Sequence, residues 1–264
     1  MTRLETTLRG LRDQRRAGLV PFVTAGYPDR ATTALLLPAL ARAGAVAIEL
    51  GVPFSDPLAD GPALQEASQV ALESGTHLGH VLELVRGFNE VPLVVMTYAN
   101  PVLAYGAERF ARDAAAAGLD GVIVSDLPPE ERADVWDALA AAGLATIPLV
   151  APTTAPQRLP LLLARAAGFV YCVSRTGVTG DGRAFAAELD GLVDAVRRGC
   201  DLPVGIGFGV TDEEKARFVA ARAEAVIVGA AIARVIGRGG AVVGNVEEFV
   251  RGLARATSEV RKEP

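Results

Sequence analysis

The chain has 264 residues, half of them apolar, with 26 Lys and Arg against 31 Asp and Glu for a formal net charge of −5; that length suits one large core and predicts a single domain over residues 1–264. An acidic balance without clustered Lys or Arg excludes a nucleic-acid groove, which needs a basic face against the phosphate backbone. Two cysteines, Cys172 and Cys200, form no CxxC pair and predict a reducing cytoplasm. No apolar run reaches 18 residues, and the early arginines precede no apolar signal segment, so neither a membrane span nor export is expected.

In chain order, Leu4, Leu8 and Leu11 repeat at helical spacing and predict an amphipathic helix over residues 2–17. Eight short β-branched or aliphatic runs follow: Leu19–Thr24, Val46–Leu50, Leu93–Thr97, Gly121–Val124, Ala145–Val150, Phe169–Val173, Pro203–Ile206 and Ala225–Val228. The stretches between them have helical composition, with Pro128-Pro129-Glu130-Glu131 read as a helix's first turn and Thr211-Asp212-Glu213-Glu214 as a capping box. Alternation of this kind makes parallel strands with crossover helices. An open doubly wound sheet shows the same alternation, but strand count and length favour a (β/α)₈ barrel with an extra N-terminal helix lying over its bottom.

In a barrel, chemistry sits at the carboxyl ends of the strands. The second run, Val46-Ala47-Ile48-Glu49-Leu50, places Ala47 and Glu49 on one face and the bulky residues on the other, which points Glu49 into the barrel mouth if the bulky face meets the helices. Burial there raises a carboxyl pKa toward neutrality and suits acid/base work; position alone equally fits an acid paired with an arginine. The next loop, residues 51–62, holds three prolines and could return Asp60 to the same mouth, or Asp56 or Asp60 could simply cap the helix starting near Pro62.

Gly205-Ile206-Gly207-Phe208-Gly209 and Val228-Gly229-Ala230-Ala231, each leading into a helix, could cradle an anion with main-chain N–H groups, or merely make tight turns. Residues 174–183 are polar and glycine-rich, a length suited to a lid or to an irregular surface loop. His77 and His80 lack metal-ligand partners in sequence and fit a helix surface, and Trp136 fits helix packing.

The run from Ile48-Glu49 through Leu50-Gly51-Val52-Pro53-Phe54-Ser55-Asp56-Pro57-Leu58-Ala59-Asp60-Gly61-Pro62 resembles the signature of tryptophan synthase α subunits. The blocks Phe22–Pro28, Met96–Pro101, Ser174–Gly180 and Gly205–Gly209 resemble that family's in order, so the likeness covers nearly the whole chain. It implies retro-aldol cleavage of indole-3-glycerol phosphate to indole and glyceraldehyde 3-phosphate, with Glu49 as general acid/base and Asp60 stabilising the indole N–H side.

The resemblance also implies an indole pocket of Phe22, Met96, Ile123, Val150 and Tyr171 with Tyr98 lining the site. It assigns the phosphate to Gly180, Gly207, Phe208, Gly209, Gly229 and Ala230, with Thr179 on the lid. A serine is usual in the family where Ala230 stands, so one hydroxyl contact to the phosphate is missing here. The chain itself is expected to need no cofactor or metal. Its implied partner is a β subunit carrying pyridoxal phosphate in an α₂β₂ heterotetramer, with Pro53, Asp56 and Thr179 at the positions of subunit communication. The alternatives are a phosphate-binding sugar isomerase, a stand-alone indole-releasing lyase, and a chain that chiefly activates a β subunit.

Overall fold

The computed structural model describes residues 1–173, 182–207 and 209–260, with backbone alone for residues 182–185. Among these residues nine parallel strands form one sheet: β1 (Gly18–Thr24), β2 (Ile48–Gly51), β3 (Leu93–Thr97), β4 (Gly121–Val124), β5 (Ala145–Thr146), β6 (Leu149–Val150), β7 (Val170–Val173), β8 (Val204–Gly207) and β9 (Ala225–Val228). Their order is β5-β4-β3-β2-β1-β9-β8-β7-β6, so the first strand pairs with both the second and the last.

The two ends of that order are halves of the single run read as Ala145–Val150. Ile147-Pro148 interrupts it because proline has no N–H for the ladder. Ile147 N still donates to Val122 O at 3.1 Å on one side, and Tyr171 N donates to Pro148 O at 3.0 Å on the other. The run therefore serves as one stave, and the sheet closes into a (β/α)₈ barrel.

Strand period 2 sorts the side chains. Val20, Ala47, Val94, Ile123, Ala145, Ile147, Phe169, Tyr171, Ala225 and Ile227 pack together inside the barrel. The opposite faces of the strands meet the helices in the outer core, where Trp136 is 1% exposed and its Nε1 donates to Leu127 O at 3.2 Å.

The N-terminal helix, α1 (Arg3–Asp13), is shorter than 2–17 and is capped by Thr2, whose side chain accepts from Glu5 N. Its Leu4 and Leu8 are fully buried in the inner cluster, so α1 plugs the barrel bottom. Arg3 reaches both oxygens of Asp120 at 3.1 and 2.8 Å, and Arg9 and Arg12 reach Asp201 at 2.7 and 2.9 Å. Exposed pairs of this kind contribute about 0–1 kcal/mol each, whereas a buried leucine contributes about 1.5–3 kcal/mol, so the leucines hold the plug and the arginines orient it.

Two helix starts differ from the sequence reading. Pro128–Glu131 forms a turn closed by Glu131 N to Pro128 O, and the helix begins at Ala133. After β8 the N-cap is Asp212, not Thr211: its carboxylate, a stronger acceptor than a hydroxyl, takes the Lys215 N–H at 2.9 Å.

Candidate active site

Glu49 sits in β2 with its side chain on the inner face, where it is 1% exposed. Among the described residues neither carboxylate oxygen has a hydrogen-bond partner, and none of the described arginines neutralises it. An unpaired buried charge is costly, and the group responds by holding its proton. Burial first, and the negative charge of Asp60 second, push the Glu49 carboxyl up to about 8.

The proline-rich loop brings Asp60 back to the same mouth. Tyr98, at the end of β3, donates its hydroxyl to Asp60 Oδ2 at 3.1 Å and accepts the Ala59 N–H at 3.2 Å. Its ring stacks on Phe54 at 5.0 Å. Gln65 Nε2 donates to the Asp60 carbonyl at 2.9 Å. The following helix, Pro62–Glu73, starts with Gly61 as N-cap and proline in its first turn and uses no side-chain cap, so the Asp60 carboxylate is left for the cavity. Burial raises its pKa, and the Tyr98 hydrogen bond pulls it back down.

These two acids share a cavity of about 300 Å³. Phe22, Met96, Tyr171 and Ile227 supply its apolar wall, and Gly209, Gly229, Ala230 and Arg234 lie on its lining. The Tyr171 phenol is held well above its ordinary value by burial and by the neighbouring Glu49 and Asp60 charges. Tyr98 lines a narrower cleft alongside, with Phe22, Thr24, Ser68, Met96 and Asp60.

The glycines have local reasons. A Cβ on Gly51 would strike the Phe22 ring, one on Gly207 would strike the Tyr171 hydroxyl, and Gly209 has φ +75°. The helix Ala230–Gly237 opens at Gly229 without a side-chain cap, so its first amide N–H groups lack an intrahelical partner where it meets the cavity.

Not every expected residue lies on this wall. Ile123 is fully buried within the barrel, paired in register with Met96 and beneath the cavity lining. Val150 needs correction: Ala145, Ile147 and Leu149 share the inner cluster, so period 2 turns Val150 outward into the core beneath the helices. Pro53 is buried and Asp56 exposed, with Ser55 Oγ donating to Asp56 Oδ2 at 2.6 Å. Thr179, Gly180 and Phe208 lie outside the described residues. Sequence reasoning missed Ile227 and Arg234. Strand alternation identifies Ile227, and the four-residue step from Ala230 is the signal for Arg234.

His77 caps the helix Leu78–Val85, and its ring lies 3.8 Å from that of His80. A larger groove of about 530 Å³, lined by Thr211, Glu248, Phe249, Arg251 and Arg255 among others, includes neither Glu49 nor Asp60.

The family model described as "Tryptophan synthase alpha chain" matches residues 8–261. The tryptophan synthase alpha chain of Acidiphilium cryptum is 49% identical over 88% of this chain and 86% of its own length. That of Paraburkholderia phymatum is 42% identical over 98% of both. The tryptophan synthase subunit alpha structure from Legionella pneumophila superposes with a TM-score of 0.90 at 34% identity, covering 98% of this chain and 100% of that one. A tryptophan synthase structure from Mycobacterium tuberculosis gives 0.89 at 37% identity over 98% and 99%. With a match spanning nearly its whole length, the chain belongs to the tryptophan synthase alpha chain family.

Proposed function

We propose that Glu49 and Asp60 carry the lyase reaction of this family, the cleavage of indole-3-glycerol phosphate to indole and glyceraldehyde 3-phosphate in tryptophan biosynthesis. The observation that carries the assignment is a buried carboxyl, without a hydrogen-bond partner among the described residues and held near 8, on the wall of a cavity it shares with a second acid. At neutral pH Glu49 is protonated and can give its proton to the ring carbon that bears the side chain, leaving positive charge on the indole nitrogen. The Asp60 carboxylate, whose charged form the Tyr98 hydrogen bond favours, stabilises that cation through the N–H. The Glu49 carboxylate then takes the proton of the adjacent side-chain hydroxyl. The carbon–carbon bond breaks, its electrons return to the ring, and the former hydroxyl carbon leaves as the aldehyde with Glu49 again protonated.

Phe22, Met96, Tyr171 and Ile227 form the apolar wall for the indole. The phosphate falls to main-chain N–H groups at Gly209, Gly229 and Ala230, and we extend that cradle to Gly180, Gly207 and Phe208. The chemistry needs no cofactor in this chain. We read residues 1–264 as one barrel unit working in the cytoplasm with a β subunit, the bearer of pyridoxal phosphate, in an α₂β₂ assembly. Leu58, 91% exposed on the loop that carries Asp60, and Asp56 beside it offer the contact through which that partner can set the loop; buried Pro53 anchors its root, and we assign Thr179 to the same communication.

Indole release from indole-3-glycerol phosphate, with and without a β subunit, tests the reading. Glu49→Gln and Asp60→Asn should each lose about 10²–10⁴ in rate. Unimpaired release by Glu49→Gln would falsify the acid/base assignment.

A further inference from the structure

The cavity's charge inventory is uneven. Glu49 and Asp60 both line it, and among the described lining residues Arg234 is the one cation. Arg234 is exposed and, among the described residues, forms no ion pair or hydrogen bond that would occupy its guanidinium. It stands one turn after Ala230 on the helix Ala230–Gly237, and both line the cavity. Long helical side chains lean back over the turn N-terminal to their own Cα, so Arg234 overhangs the face of Ala230 and the uncapped helix start. Ala230 contributes no side-chain donor there.

A phosphate dianion entering a cavity that already holds the Asp60 carboxylate is repelled unless a cation offsets it. A guanidinium offers a fork of donors matched to phosphate oxygens, which a hydroxyl does not. We propose that Arg234 is a phosphate-binding side chain of this cavity, supplying by its fork what Ala230 lacks and selecting phosphorylated over unphosphorylated substrates. The proposal rests on the reading of this cavity as the lyase site.

The test uses the chain together with its β subunit. Steady-state cleavage of indole-3-glycerol phosphate and its inhibition by glycerol 3-phosphate are measured for the wild type, Arg234→Gln and Arg234→Lys at low salt and at high salt. Arg234→Gln should raise KM and the inhibition constant about tenfold or more, with a smaller change in kcat, as expected for loss of a charged hydrogen bond. Arg234→Lys, which keeps the charge without the fork, should recover part of that loss. Salt should weaken inhibition of the wild type more than that of Arg234→Gln.

An unchanged inhibition constant in Arg234→Gln, with the wild type competitively inhibited, would overturn the role of Arg234 and leave the cavity assignment standing. A wild type that glycerol 3-phosphate fails to inhibit would overturn both. A fall in kcat and in the unfolding midpoint with KM unmoved would mark a packing residue and also count against the proposal.

Discussion

The Tyr98 hydroxyl bridges strand to loop, donating to Asp60 Oδ2 at 3.1 Å while it accepts the Ala59 N–H at 3.2 Å. One phenol at the end of β3 thus holds the position of an acid 38 residues earlier and favours its charged form against the effect of burial. A hydrogen bond to the charged form lowers a carboxyl pKa, so its removal raises Asp60 further above the ordinary carboxylate value. Tyr98→Phe should therefore lose activity at a higher pH than the wild type as the medium is acidified. At neutral pH kcat should fall about tenfold, the scale of one charged hydrogen bond. A pH–rate profile of the two proteins checks this; superimposable acid limbs would show that the bond does not act in the working enzyme.

Glu49 makes a stability prediction of definite sign. Its pKa is about 8 in the folded chain against 4.5 as the ordinary value, so between those limits the folded state holds a proton that the unfolded state has released. Stability contributed by this group is complete below about 4.5 and is lost progressively as pH rises through 8, with a slope of about 1.4 kcal/mol for each step of one in pH. Glutamine mimics the protonated acid and carries no such penalty. Glu49→Gln should thus match the wild type in unfolding midpoint near pH 5 and exceed it increasingly toward pH 8.5. Thermal unfolding of both proteins across that range is the measurement, and a constant difference would mean that Glu49 ionises normally in the fold.

The plug at the barrel bottom makes a third prediction, in which burial outweighs charge. Leu8→Ala empties a fully buried position inside the barrel, and such truncations cost about 2–5 kcal/mol. Arg9→Gln removes pairs with Glu5 and with Asp201, the latter 80% exposed, and should cost under about 1 kcal/mol. Urea unfolding of the two variants should rank them in that order. Equal losses would show that the ion pairs, and not the leucines, seat α1.

Glu49 was legible from sequence because period 2 requires no tertiary knowledge: Ala47 and Glu49 share a face, and Ile48 and Leu50 on the other face took the helices, while Val46 at the start of the run packs against the inner cluster. The same rule corrects the indole wall, since Ala145, Ile147 and Leu149 fall inside and Val150 outside. A one-residue shift in a correspondence flips a strand side chain across the sheet. The return of Asp60 was not decidable locally. Capping and cavity-facing placements differ by whether Tyr98, on another stave, reaches the carboxylate. Arg234 escaped notice because an exposed arginine on a helix has the ordinary pattern of a solvated face, and its relation to the cavity exists only once β9 and β2 close on opposite sides of β1.

That closure also explains why Phe22 is flanked by two glycines. Gly51 lies beside it on β2 and Gly229 just past β9, and a Cβ at Gly51 would overlap the ring tip while one at Gly229 would meet the ring at 3.1 Å. Phe22 lines the cavity, so a ring displaced by a methyl at Gly51 changes the cavity wall. Gly51→Ala should raise KM for indole-3-glycerol phosphate about tenfold, whereas Gly229→Ala, which asks the ring to yield only a few tenths of an ångström, should do less. The cause is tested by a double-mutant cycle with Phe22→Leu, whose smaller side chain relieves the overlap. In that background Gly51→Ala should lose most of its effect. Additive losses in the double variant would place the role of Gly51 in the backbone of the loop and not in the room it leaves for Phe22.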